Sequence, residues 1–68
     1  MTVPHRTIPS VTEAALQKLP DMHKFIRLHE IMIEGKMTLC MVIAWRDDED
    51  MYRIANFDAE TGEYHGEA

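Results

Sequence analysis

The chain reads as a small α+β protein: an N-terminal helical segment, one kinked helix or two short ones, followed by a two- to three-stranded antiparallel β-meander. Three observations predict this. Apolar residues between Met22 and Glu34 gather on one helical face, and the segment from Met37 to Trp45 is apolar on both faces of a strand. Two clusters of turn-forming residues then divide the remainder of the chain. The 68 residues allow one domain at most. A chain this short buries only about 60% of its unfolded surface, so its core is thin. Ordering it costs roughly 1.5 kcal/mol per residue, which nearly cancels the hydrophobic gain. Cys40 is the only cysteine, so no disulfide within the chain can help. Self-association is the expected remedy.

Residues 1–9 read as an extended arm ahead of a domain spanning 10–68, because Pro4 and Pro9 each disfavour helix at and before their own positions. Ser10 and Glu13 have the spacing of a capping box, which predicts a first helix from Val11 to Leu19. Pro20 ends or kinks it, and Asp21 caps the next helical stretch. In that second stretch, Met22, Phe25, Ile26, Leu28, His29, Met32 and Ile33 share an arc of about 160° on a helical wheel. Gly35 suits the left-handed C-terminal cap. Ile31 projects among the polar residues and marks a contact.

From Lys36 to Trp45 the period changes to two. Met37, Leu39, Met41, Ile43 and Trp45 form a large-residue face expected to take the helix. Thr38, Cys40, Val42 and Ala44 form a small, smooth face suited to a second subunit. The acidic run Asp47-Asp48-Glu49-Asp50 is a turn, Met51 to Phe57 a returning strand, and Asp58 to Gly62 a second hairpin loop. Glu63 to His65 make a short third strand.

Charge is unevenly distributed. Residues 1–46 carry six basic and four acidic groups, whereas residues 47–68 carry eight acidic groups and only Arg53. The net charge of −5 repels nucleic-acid backbones and anionic membranes and steers basic partners inward. Direct nucleic-acid or membrane binding is not expected. No apolar run reaches the roughly 20 residues a membrane span needs, and the N-terminus does not resemble a signal peptide. With its single cysteine, the chain is expected in the cytoplasm.

No catalytic constellation emerges, and the chain is not expected to be an enzyme or to hold a cofactor or metal. Counted as an EF-hand loop from Asp47, the glycine position falls on Tyr52 and the final glutamate position on Asp58, so the calcium pattern fails. His23 and His29 lack zinc-ligand spacing. His29 instead reads as a polar group within an apolar arc, able to specify an interface. The methionines form no Met-x-x-Met cluster, which favours adaptable packing over copper. Cys40, between Leu39 and Met41, lacks the electropositive setting of a nucleophile.

The expected function is therefore recognition. A small acidic regulator or inhibitor would occlude a partner protein with a basic surface, by steric and electrostatic means, and would itself be a homodimer. Asp47, Asp48, Glu49 and Asp50 would supply orientation and on-rate. Trp45, Tyr52, Arg53 and Ile31 would supply contact area, since aromatic residues and Arg are enriched in binding hot spots. In size and charge the chain resembles inhibitors carried by phages and other mobile elements. Two alternatives stand beside this: an accessory or antitoxin-like subunit that folds fully in its complex, and a metal- or ligand-binding module using His29, Met22 or the acidic run.

Overall fold

A computed structural model of the chain describes residues 11–68. The arm expected over residues 1–9 and the cap expected at Ser10 lie outside the described residues. One short helix, α1 (Glu13–Gln17), precedes four strands: β1 (Lys24–Ile33), β2 (Lys36–Arg46), β3 (Tyr52–Asp58) and β4 (Tyr64–Glu67). They form a single antiparallel sheet in chain order, β1-β2-β3-β4. The expected helical N-terminal half with a two- to three-stranded meander is thereby overturned. Residues read as a second helix are the first strand.

The helical spacing of those residues has its cause in a bulge. Phe25 pairs with Ile43 and Arg27 with Val42, leaving Ile26 as an extra residue. Beyond it Leu28 pairs with Met41, Glu30 with Leu39 and Met32 with Met37. Inserting one residue turns a spacing of two into three, and Glu30 occupies one place in the row. The large apolar residues on this sheet face therefore fall at 25, 28 and 32, the spacing of a helical stripe. Phe25, Ile26, Ile31 and Ile33 are aromatic or β-branched and fit a pleated surface better. Glu34 and Gly35 complete the hairpin at φ values of 53° and 78°. Two consecutive positive φ values give the turn whose twist matches antiparallel strands. The left-handed conformation expected of Gly35 is present, in a hairpin turn instead of a helix cap.

Helix α1 starts at Thr12, whose hydroxyl oxygen accepts from the Ala15 amide at 3.1 Å. The same hydroxyl donates to the Glu60 carbonyl at 2.8 Å, and the Thr12 amide donates to the Ala59 carbonyl at 3.1 Å. One residue thus caps the helix and ties it to the β3–β4 loop. Such a short helix has no stability of its own. It is held by burying Ala15 and Leu19 against Met41, Ile43, Ala55, Phe57 and Ala59, with Val11, Leu39 and Trp45 at the margin. The large-residue face of β2 takes a helix as expected, but that helix is α1. Phe57 stands edge-on to both Trp45 and Tyr64, with ring centroids 5.6 and 5.7 Å away.

On the other face Cys40, Val42 and Ala44 are 0%, 2% and 1% exposed. These side chains offer no accessible area to a second subunit. His29, paired with Cys40, reaches over β2 to Asn56, paired with Val42; its Nε2 lies 2.8 Å from Asn56 Oδ1. β1 is a terminal strand of the sheet, and Phe25, Ile26, Leu28 and Met32 along it are 41–62% exposed.

Candidate functional sites at the two ends of the sheet

The acidic run joins β2 to β3, and its members differ. Asp47 organises the turn: Oδ1 accepts from the Glu49 and Met51 amides, each at 2.9 Å, and Oδ2 accepts from Arg53 Nε at 2.9 Å. The Asp47 amide donates to the Met51 carbonyl at 3.0 Å, and the Asp50 amide to the Asp47 carbonyl at 2.8 Å. The Met51 amide, followed by the Arg53 side chain, holds the Asp47 carboxyl below its ordinary pKa. Asp47 in turn holds the Arg53 guanidinium above its own. Asp50 closes the turn at φ 65°, with Arg46 3.2 Å from its carboxylate. Asp48 and Glu49 are exposed and make no ion pair among the described residues. They are the charges the loop presents outward.

The other residues expected at a partner surface divide between two ends of the sheet. Trp45, Tyr52 and Arg53 lie beside the acidic loop. Trp45 is half-buried against Phe57, whereas Tyr52 is exposed with the Arg46 guanidinium 6.0 Å above its ring centroid. An open hollow of about 560 Å³ beside them is lined in part by Met22, Lys24, Trp45, Arg46 and Tyr52. Ile31 is elsewhere. It is half-buried and pairs with Thr38, close to the β1–β2 turn, about 25 Å along the strand direction from the acidic loop. His29 is committed to Asn56.

Sequence reasoning missed the apolar stripe along β1. Phe25, Leu28, Met32 and Met37 share the sheet face that carries α1, yet all four are exposed. The five-residue helix is too short to cover them. Glu34-Gly35 between two apolar runs was the signal that could have found this, because a two-residue turn sets the register of both strands. Once β1 is placed, the position of the stripe is fixed.

A polar band crosses the opposite face, combining His29, Cys40, Asn56, Asp58 and His65. Asp58 Oδ1 accepts from the Glu60 and Thr61 amides at 2.8 and 3.1 Å, and Oδ2 lies 3.1 Å from His65 Nε2. Burial by itself pushes the Asp58 carboxyl up; the His65 contact and the two amides outweigh it and leave the pKa lowered. The Cys40 thiol is pushed up by burial and then by the Asp58 charge, the reverse of an activated thiolate. Among the described residues no group of three His, Cys, Asp or Glu side chains is disposed to hold a metal ion. The band draws on all four strands, with His29–Asn56 joining β1 to β3 and Asp58–His65 joining β3 to β4, and it presents no accessible nucleophile. No helix among the described residues is long and apolar enough to cross a membrane.

No family model matches this chain, and no curated protein and no solved structure matches it.

Proposed function

We propose that this chain is a small protein-binding regulator or inhibitor that works in the cytoplasm by covering part of a partner protein. The observation that carries the reading is the exposed apolar stripe of Phe25, Leu28, Met32 and Met37 on a terminal strand and its neighbour. Exposed apolar side chains grouped on one sheet face, here with Glu30 between Leu28 and Met32, are a mark of interaction sites. Asp48 and Glu49, in the β2–β3 loop, add long-range attraction toward a basic surface and raise the association rate more than the affinity. The buried free thiol of Cys40 suits a reducing compartment.

The test is capture from a lysate of the source organism with three forms of the full chain. These are the native protein, Leu28→Ser with Met32→Ser, and Asp48→Asn with Glu49→Gln. The expected result is one protein retained in stoichiometric amount by the native form and lost with the serine variant. The neutral variant should retain it with slower association. Capture that ignores the serine substitutions, in a variant whose circular dichroism is unchanged, refutes the assignment of the surface. Absence of any captured protein refutes the binding role.

A further inference from the structure

We infer that the outer edge of β1 takes an extended segment of the partner protein as an added antiparallel strand, with a lysine or arginine opposite Glu30 and apolar residues opposite Leu28 and Met32. This rests on the binding role proposed above and specifies the chemistry of the partner.

The open backbone groups are set by the hairpin. A two-residue turn makes Ile33 and Lys36 the hydrogen-bonded closing pair, and such pairs alternate along an antiparallel ladder. Ile31, His29 and Arg27 therefore bond toward β2, whereas the N–H and C=O groups of Met32, Glu30 and Leu28 point outward. The Leu39 carbonyl fits that alternation: opposite Glu30, it is turned away from β1 and accepts from the Ala59 amide at 3.0 Å. No strand borders this edge among the described residues. Side chains of the outward-pointing positions lie on the face of the apolar stripe, so an added strand gains backbone bonds and apolar contact together.

Charge selects the occupant. A second copy in the register that uses all three open positions would set Glu30 opposite Glu30, between Leu28–Met32 pairs. Like charges directly opposite are destabilising, and a charge midway along an edge is a recognised guard against self-pairing. A cation opposite Glu30 removes the penalty. Glu30 makes no ion pair among the described residues. Beside it a groove of about 270 Å³ is lined by Glu30, Lys36, Met37, Thr38, Leu39, Glu60 and Asp58, whose own carboxylate is taken up by His65 and two loop amides. Arg27, on the other face, favours an acidic residue opposite it in the added strand.

The test uses the full chain, labelled with nitrogen-15, and a synthetic blocked peptide, Thr-Val-Val-Lys-Glu-Leu-Glu-Thr, that meets these requirements. Binding should shift and protect the amides of Leu28, Glu30 and Met32. Exchanging the peptide's lysine for glutamate should weaken binding about tenfold, and Glu30→Lys should restore it for that peptide while weakening the original by a similar factor. N-methylation of the peptide at the lysine and leucine should abolish binding. Indifference to the charge exchange or to N-methylation overturns the inference. So does protection of the three amides in the free protein, whether in a dimer found by sedimentation or in a monomer whose residues 1–10 occupy the edge. If the peptide fails while capture from lysate still depends on Leu28 and Met32, the edge assignment falls and the binding role stands. Failure of both removes both.

Discussion

Gly62 is the position where one methyl group should do most damage. It sits at φ 81° in the β3–β4 loop, where its amide donates to the Asp58 carbonyl at 2.9 Å. A Cβ there would lie 2.9 Å from the Ala15 carbonyl oxygen, 2.9 Å from Lys18 Cβ and 3.1 Å from Ala15 Cα. Two of these three atoms are backbone, so α1 can relieve the clash only by moving as a unit. Gly35 provides the comparison: its φ is 78°, and nothing lies within 4 Å of the site a Cβ would take. Gly35→Ala should therefore cost only the left-handed penalty, about 1–2 kcal/mol. Gly62→Ala adds displacement of α1, which strips Ala15 and Leu19 from the core, and should cost about 3 kcal/mol or more. A domain this size has a total stability of about 3–10 kcal/mol. Urea unfolding followed by Trp45 fluorescence measures both costs, and amide exchange shows whether protection is lost first around α1. Equal costs for the two glycines would refute the close approach of α1 to the β3–β4 loop.

Three further outcomes are expected. Asp47→Ala should lower the urea midpoint, because it removes the acceptor of two loop amides and the partner of Arg53, whereas Asp48→Asn with Glu49→Gln should leave the midpoint unchanged; the reverse order would show that the acidic run acts as one solvated unit. Stability should fall on acidification. Asp47 and Asp58 bind protons more weakly folded than unfolded, so their contribution is complete above the ordinary carboxylate value of 3.8 and is lost as pH falls through the lowered folded values. Urea midpoints at pH 6 and pH 3 test this, and a difference that persists undiminished in Asp47→Asn with Asp58→Asn would assign the acid loss elsewhere. Cys40 should react with iodoacetamide only at the rate at which the structure opens, since the thiol is buried and its pKa raised; rapid alkylation without urea would contradict the packing of that sheet face.

The two halves of the chain were not equally legible. From Lys36 onward each strand occurs within a residue or two of its expected limits, because alternating apolar residues and polar turns are local signals. The expected third strand at Glu63–His65 is β4 at Tyr64–Glu67. In the first half, a single bulge at Ile26 gave β1 the apolar spacing of a helix. Composition pointed the other way through Phe25, Ile26, Ile31 and Ile33, and the Glu34-Gly35 turn would have settled the question. The acidic loop was found where expected, but no composition rule distinguishes Asp47, which accepts two backbone amides, from Asp48, which faces outward. That difference depends on where the chain returns at Met51 and Arg53.

By itself the sequence determined the size of the core, the uneven charge, the strand from Lys36 to Arg46 and the two later turns, all of which depend on residues close in the chain. Only the tertiary structure decided that residues 24–33 pair as a strand, that α1 covers the β2–β3 part of one face, and that Phe25, Leu28, Met32 and Met37 stay in solvent. Whether an apolar residue is core or contact surface depends on what lies opposite it, and here the covering element is a helix too short to reach.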